Sequence, residues 1–296
     1  MLAIVLFDGL NYSATLFLLS VGLTFVYGVL RVLNISHGAI YAFGAYMATW
    51  ITIKLLGVGL PVFLSYLMLF AGAVIIGLVF GPTIERLCLR RIYGSDIHIQ
   101  LLLTYAILLI LDDAMKLIWG MEPMFVSEPY TFIGMFEVGG IIYPVYNFLL
   151  MVIAAIFGGF LIWLLRRTRF GKIVVSVIHD REVSVAMGVN VSLVFNVAFT
   201  IGAFAAAMGG AFIAPTLAVV PGFAVEVVVM AFAVIAIGGM GSLEGAALGS
   251  LIVGFARAIS IHLFAELELV AIYLIMVLVL AFRPEGLFGQ VEERRI

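Results

Sequence analysis

Charged residues are scarce in this chain. Asp, Glu, Lys and Arg make up 11% of its 296 residues, whereas 65% of the residues are hydrophobic. Globular domains carry about a quarter charged residues, and a soluble domain could not hide this much apolar surface from water. Disordered chains are polar and charged, so the composition excludes disorder too. The formal net charge of −2 shows no basic excess, so we expect no nucleic-acid partner.

Cysteines and catalytic motifs are also missing. Cys88 is the sole cysteine, which excludes an internal disulfide and a cysteine metal cluster. The chain has no phosphate-binding loop of the form GxxxxGKS or GxxxxGKT, no HExxH and no GxSxG. Its histidines are scattered, at His37, His98, His179 and His262. We therefore predict no catalytic residue, cofactor or metal site, and energy for uphill transport would come from a partner or an ion gradient.

Long apolar runs dominate the chain instead. A helix needs about 20 apolar residues to cross a bilayer, and barrel strands would be shorter and alternating. We predict one all-α domain over residues 1–296, a polytopic transmembrane helical bundle with nine spans, in a range of eight to ten. A re-entrant or broken segment near 213–223 would change that count. The spans lie near 10–30, 38–56, 61–81, 99–119, 143–165, 193–213, 222–240, 246–264 and 268–283.

Positive charges predict the orientation of the spans. Residues 166–191 hold five Lys or Arg residues, whereas residues 120–143 hold none. The C-terminal tail carries Arg283, Arg294 and Arg295. By the positive-inside rule we expect residues 166–191 and the C-terminus in the cytoplasm, with residues 120–143 and the N-terminus outside.

Residues 166–191 form the longest internal loop. Apolar residues at Val177, Ile178, Val183 and Met187 have the spacing of one short amphipathic helix. Asp180 and Glu182 would lie in the middle of this helix, and Gly188 is placed to end it. Two roles stay open from the spacing alone. The helix either contacts a soluble partner or lies in the lipid headgroup layer.

A polar turn precedes the second span and contains Asn34, Ser36, His37 and Gly38. Asn34 or Ser36 is able to accept the first amide hydrogens of that span as a helix cap. A helix N-terminus also suits a carboxylate substrate, because its amides are free and its dipole is positive there. The charge rule places this turn in the cytoplasm, which argues against a substrate site unless the turn is re-entrant.

Ionisable residues inside spans usually face protein or water. Asp112 and Lys116 are four residues apart and are expected to pair along one helix face, at the outer rim. Arg257 lies deeper in its span and needs an acidic partner, for which Glu226, Glu266 and Glu268 are candidates. We include Glu226 and Arg257 with the polar turn as candidates for the translocation path.

Residues 165–194, LRRTRFGKIVVSVIHDREVSVAMGVNVSLV, resemble the cytoplasmic loop of branched-chain amino acid ABC transporter permeases, the LivH-like family. Three further stretches are similar to that family: LTFVYGVLRVLNISHGAIYAFGAY, AIGGMGSLEGAALGSLIVG and FRPEGLFG. The resemblance runs through residues 23–289 in the family's order. Val175 departs from it, since the family often has an arginine there. The matching loop positions are Gly171, Asp180, Arg181, Glu182, Ala186, Gly188 and Asn190.

The resemblance implies a multi-pass permease subunit of an ATP-driven importer in the cytoplasmic (inner) membrane. Its expected cargo is a branched-chain or similar small amino acid. The implied partners are two cytoplasmic ATPase subunits, a second permease subunit, related or identical, and an external substrate-binding protein. The loop that would couple to the ATPases comprises Gly171, Lys172, Asp180, Arg181, Glu182, Gly188 and Asn190.

Two alternatives stay open beside this interpretation. Related permeases carry urea or short amides, so the cargo could belong to that class. The chain could also be an ion-coupled secondary transporter that uses Asp112, Asp113 and Glu226 for proton or sodium coupling. Such a transporter would depend on an ion gradient and would need no ATPase.

Overall fold

The computed structural model describes residues 2–138 and 141–289. Within them the chain forms twelve α-helices and a small antiparallel sheet in which Met135 pairs with Pro144. The helices are α1 (Leu2–Leu30), α2 (His37–Gly57), α3 (Leu64–Leu87), α4 (Ile97–Trp119), α5 (Glu128–Phe132), α6 (Tyr146–Arg167), α7 (Arg169–His179), α8 (Arg181–Ala186), α9 (Val191–Ile213), α10 (Phe223–Gly238), α11 (Leu243–Phe264) and α12 (Glu268–Phe282). The strands are β1 (Met135–Val138) and β2 (Ile141–Pro144). The all-α prediction thus missed a hairpin, which lies between the spans.

Each predicted span overlaps one of these helices, but length and composition support fewer crossings than nine. Among the described residues, six helices are long and apolar enough to cross a membrane. They are Ile4–Leu30, His37–Gly57, Leu64–Arg91, Tyr146–Arg167, Val191–Thr216 and Leu243–Phe264. Helices α10 and α12 are apolar but shorter, and α4 is not in this group. The protein is therefore a multi-pass membrane protein, and its nine-span count stays a prediction.

One end of the bundle gathers most of the positive charge, and we call it the arginine-rich end. It is defined by three contacts between helix ends. Arg90 donates to the carbonyl of Ser192 at the start of α9, and Arg166 forms an ion pair with Glu244 at the start of α11. Near the end of α1, Gly28 packs on Gly241 in the turn between α10 and α11.

Residues 120–138 and 141–143 lie at the opposite end. Helix α4 has 23 residues and carries the chain away from the arginine-rich end by about 34 Å. The hairpin then packs near the start of α1, where the ring of Phe7 lies 5.9 Å from Phe136 and 4.3 Å from Tyr143. The described part of 120–143 therefore lies at the end of the bundle opposite 166–191, as expected if the two segments are on opposite sides of the membrane. Which end faces the cytoplasm stays a prediction. Arg294 and Arg295 lie outside the described residues.

Helix α9 lies at the centre of the bundle and packs against α1, α2 and α3. Small residues allow this close approach. A Cβ added to Gly44 would lie 2.2 Å from the carbonyl oxygen of Ala207, so the α2 and α9 backbones are in direct contact. In lipid, small residues at helix interfaces favour association because backbones approach closely and dispersion contacts accumulate.

Candidate functional site

The polar turn before α2 lies deep inside the bundle. The ring Nε2 of His37, the first residue of α2, lies 3.1 Å from the carbonyl oxygen of Leu19. Leu19 precedes the end of α1 by 11 residues, which is about 16 Å along the helix axis. The chain therefore leaves α1 at the arginine-rich end, returns into the bundle and starts α2 at mid-depth. The turn is re-entrant, and the expected cytoplasmic position of His37 is wrong.

Helix α10 gives an independent measure of this depth. A Cβ on Gly38 would lie 2.3 Å from the carbonyl oxygen of Ala224, so α2 begins against the first turn of α10. The last residue of α10, Gly238, packs on Gly245 at the arginine-rich end. Ala224 and Gly238 are 14 residues apart, or about 21 Å. Helical rise in the two helices thus places the turn about 16 to 21 Å inside that end.

The side chains of this turn do not cap α2 as expected. Ser36 stands at the N-cap position without a side-chain bond to a helix amide, and its hydroxyl donates instead to Asn34 Oδ1 at 2.6 Å. Asn34, Ser36 and His37 are buried. Asn34 Nδ2 and His37 Nδ1 have no partner among the described protein atoms. Buried polar groups are normally satisfied, so this turn has spare hydrogen-bonding capacity.

A second interruption faces the first. Between α9 and α10 the chain forms a 3₁₀ turn (Ala214–Thr216) and an extended stretch, which confirms the break expected near 213–223. The buried residue Val219 exchanges two backbone hydrogen bonds with Met124, at 2.8 and 3.0 Å. Gly222 then starts α10 with a φ of +86°, in the left-handed region that suits glycine.

Helix α10 has 16 residues and spans about 24 Å, less than the roughly 30 Å hydrocarbon core. Because α10 ends at the arginine-rich end, it starts below the opposite surface. The rings of Phe223 on α10 and Tyr41 on α2 lie 5.9 Å apart. Two helices thus begin together within the bundle, and paired helix interruptions are typical of transporter binding sites.

The loop 166–191 does not form the single helix that its spacing predicted. Asp180 is extended and separates α7 from α8, so it does not lie in the middle of one helix. Its side chain accepts a hydrogen bond of 2.9 Å from the Val183 amide and caps α8. Gly188 has a φ of +82° after α8, which confirms its predicted place at the helix end. Asn190 caps α9 by accepting from Leu193 at 3.0 Å.

Helices α7 and α8 and the residue after them carry exposed apolar side chains. On the inner face of α7, Val174 and Val177 are buried, and Gly171 packs on the carbonyls at the end of α6. The exposed apolar side chains are Ile178, Val183, Val185 and Met187, with Met187 80% exposed. Lys172, Arg181 and Glu182 are exposed beside it. Of the predicted apolar positions, Val177 is buried, Ile178 lines a cavity beside α6, and Val183 and Met187 are exposed.

The other stretches that carry the family resemblance also reach this end. The amides of Leu287 and Phe288, in the closing stretch, donate to the carbonyls of Ile237 and Gly238 at 3.0 and 2.9 Å. These bonds satisfy the end of α10. Beside them a cavity of about 440 Å³ lies between α1, α6, α7 and the turn from α10 to α11. Gly28, Gly241 and Phe288, one from each of these stretches, line this cavity beside α7.

The charged candidates in the spans are not brought together. Arg257 pairs with Glu268 on α12, and its guanidinium carbon lies 4.5 Å from the Tyr12 ring centre. Glu226, the other candidate partner, is exposed on the first turn of α10. The expected pair of Lys116 with Asp112 is confirmed at 2.7 Å.

One buried polar cluster escaped the sequence analysis. The side chain of Glu85 on α3 is fully buried, and Asn196 Nδ2 on α9 donates to its Oε2 at 2.7 Å. Tyr93 donates to Oε1 at 3.1 Å, and Arg90 Nε lies 3.5 Å from the same oxygen. Burial, and then the Glu85 charge, raise the pKa of Tyr93 well above its usual range. Glu85 adjoins Arg86, so the sequence alone suggests an ordinary charged loop there. The available signal was Asn196, a strongly polar residue within an apolar span.

Comparison with known proteins shows which family this sequence resembles. Residues 5–280 match the family model described as "Branched-chain amino acid transport system / permease component". The high-affinity branched-chain amino acid transport system permease protein BraD of Pseudomonas aeruginosa is 30% identical, covering 98% of this chain and 97% of that protein. LivH of Escherichia coli K12, named as a permease protein of the same kind of system, is 28% identical over 98% of this chain and 96% of its own.

A chain of one solved structure, "PsaBC from Streptococcus pneumoniae in complex with Fab", aligns with a TM-score of 0.48 and 15% identity, covering 91% of this chain and 87% of that chain. The family model and the curated relatives each extend over nearly the whole sequence. The chain therefore belongs to the family of permease components of branched-chain amino acid transport systems.

Proposed function

We propose that the chain is the permease subunit of an ABC importer that carries branched-chain or similar small amino acids across the cytoplasmic membrane. The match to the permease family over residues 5–280 carries this proposal. ATP hydrolysis then belongs to two ATPase subunits, and the chain acts as one transport domain without an enzymatic site. A second permease subunit, related or identical, completes the pathway, and an external binding protein delivers the cargo.

Helices α7 and α8 form the contact with an ATPase subunit in this proposal. Their exposed apolar side chains and the exposed Arg181 and Glu182 supply the apolar contacts and the charged rim that a protein interface combines. Charge pairs at such a rim determine register more than affinity. The cytoplasmic C-terminus of this proposal is supported by the closing stretch, whose Leu287 and Phe288 bond to the end of α10 at the arginine-rich end.

The cargo path passes the place where α2 and α10 begin. Asn34, Ser36, His37 and Gly38 lie there at mid-depth, and two of these side chains keep an unpaired buried nitrogen. The start of α2 also offers a positive helix dipole to the carboxylate of an amino acid. Arg257 pairs with Glu268 on α12, and Glu226 is exposed on the first turn of α10, so both contribute less directly.

Reconstitution tests the function as a whole. The chain, its second permease, the ATPase subunits and the binding protein would be placed in proteoliposomes with radiolabelled leucine outside. We expect uptake that requires ATP and the binding protein, that excess isoleucine or valine competes away, and that a protonophore leaves unchanged. Competition by urea or acetamide instead would support the amide-permease alternative. Uptake driven by an ion gradient without ATP would refute the proposal in favour of a secondary transporter.

A further inference from the structure

The C-terminal end of α3 holds an acidic side chain in an unfavourable place. Glu85 lies two residues before the end of the helix, and its side chain has no exposed surface. A helix C-terminus carries partial negative charge, which repels a carboxylate. Burial adds a desolvation penalty that only good hydrogen bonds and opposite charge offset. The carboxylate is therefore held there by its partners.

Those partners come from a different helix and from the segment after α3. Asn196 on α9 donates to one carboxylate oxygen, and Tyr93 and Arg90 approach the other. The amide of Asn196 also reaches the carbonyl of Pro82 at 3.4 Å, so it holds α3 at two points. We call Glu85, Arg90, Tyr93 and Asn196 the Glu85 cluster.

A single aromatic ring connects this cluster with α8. The ring of Phe195 on α9 lies 5.1 Å from the Tyr93 ring, at an interplanar angle of 78°. The guanidinium carbon of Arg181, the first residue of α8, lies 5.7 Å from the centre of the same Phe195 ring. A displacement of α8 therefore acts on Phe195 and, through Tyr93, on Glu85.

Beyond the cluster, α3 and α9 pack as one unit. A Cβ on Gly81 would lie 2.7 Å from the Thr200 Cα, and one on Gly77 would lie 2.6 Å from the Phe204 Cα. Backbones this close resist sliding past one another, since packed interiors have few voids to absorb movement. A force applied at the Glu85 cluster therefore moves the helix pair together.

We propose that the Glu85 cluster is a positioning device that transmits movement of α8 to the α3–α9 pair and so couples ATP hydrolysis to transport. The proposal rests on the proposed function, in which α7 and α8 contact the ATPase. Glu85 acts here without touching cargo or nucleotide. Its carboxylate holds the segment after α3 and the start of α9 in a fixed relative position. Arg181 is linked to that position because it contacts the Phe195 ring.

Glu85→Gln tests this role with little change of volume. The glutamine side chain keeps one acceptor oxygen, but its NH2 group replaces the other oxygen and faces a side chain that is itself a donor. The cluster therefore loses its charge and at least one hydrogen bond. The contacts of Gly77 and Gly81 are untouched, so the bundle should assemble. Tyr93→Phe removes a single hydroxyl, and its matched control is Tyr66→Phe, which removes the hydroxyl bond to Pro129 at the opposite end of α3.

The measurements use the full complex with its binding protein in proteoliposomes. Co-purified ATPase, the unfolding midpoint and the ATPase rate without binding protein should stay within about twofold of wild type, because α8 itself is unchanged. Amino acid taken up per ATP hydrolysed should fall about tenfold in Glu85→Gln, as expected for one lost hydrogen bond to a charged group. It should fall about threefold in Tyr93→Phe and stay unchanged in Tyr66→Phe.

Phe195→Leu provides a second variant that leaves the carboxylate and its donors in place. It should lower uptake per ATP, whereas the equally buried Phe212→Leu, at the far end of α9, should not. Because Phe195 and Glu85 belong to one connection, the double variant should be no worse than the more severe single variant. Multiplied effects in the double variant would overturn the proposal.

Three other results have a definite meaning. Wild-type uptake per ATP in Glu85→Gln would overturn the inference and leave the proposed function standing. A parallel loss of ATPase subunits, unfolding midpoint and uptake in that variant would assign Glu85 a structural role and also overturn it. A wild-type complex without ATP-dependent uptake would refute the proposed function itself, whatever the variants do.

Discussion

Replacing Gly38 with alanine tests whether α2 and α10 begin in contact inside the bundle. A Cβ at this position would lie 2.3 Å from the Ala224 carbonyl oxygen and 2.7 Å from the Val228 Cβ. Ordinary contacts of a Cβ begin at 3.4 Å, so the helices must separate by about 1 Å. Gly57, the last residue of α2, is the matched control, because a Cβ there meets no atom within 4 Å.

The expected magnitude follows from two opposing terms. Alanine favours a helix over glycine by about 1 kcal/mol, and this term applies to both variants. Overpacking costs about 1–3 kcal/mol, and the upper value applies at Gly38 because its neighbour is backbone, which cannot change rotamer. Gly38→Ala should therefore lower the free energy of unfolding by about 2 kcal/mol, whereas Gly57→Ala should leave it equal or raise it.

Thermal unfolding of the purified complex measures this difference. We expect the midpoint of Gly38→Ala to lie about 5 °C below that of Gly57→Ala, given the size of the domain. Uptake should also fall in Gly38→Ala, because the proposed path passes this contact. Equal midpoints for the two variants would mean that α2 and α10 do not begin in contact, and the depth assigned to the polar turn would then be wrong.

Three further outcomes can be checked. Asp180→Ala should remove the N-cap of α8, which is worth about 1 kcal/mol, and should speed amide exchange in α8 about fivefold. Asp180→Asn should keep the cap, so equal exchange in the two variants would contradict it. In a Cys88→Ser background, cysteines in place of the exposed Met121 and Met187 should label from outside and inside respectively, and labelling from one side would refute the orientation. Arg257→Met leaves its partner carboxylate on α12 uncompensated and should destabilise by about 1–3 kcal/mol, and an unchanged unfolding midpoint would show that the pair contributes nothing.

The class of this protein and much of its helical layout could be predicted from the amino-acid sequence. Apolar runs of about 20 residues have few alternatives to membrane helices, because lipid offers no partner to free backbone groups. The loop 166–191, the break near 213–223 and the pair of Asp112 with Lys116 were likewise visible, since each depends on local spacing. The motif resemblance then identified the family, which residues 5–280 confirm.

The depth of each residue within the bundle, and the residues that it contacts, follow only from the packing of the helices. The charge rule placed His37 at the surface, but its ring meets the Leu19 carbonyl at mid-depth, because the chain folds back after Arg31. Periodicity predicted one helix around Asp180, yet that side chain caps α8 and ends α7, since an Asx side chain competes with the backbone for amides. Glu85 and Asn196 are 111 residues apart, and only the packing of α3 on α9 makes them partners. Hydropathy reports what a segment contacts on average, whereas these contacts depend on where distant helices cross.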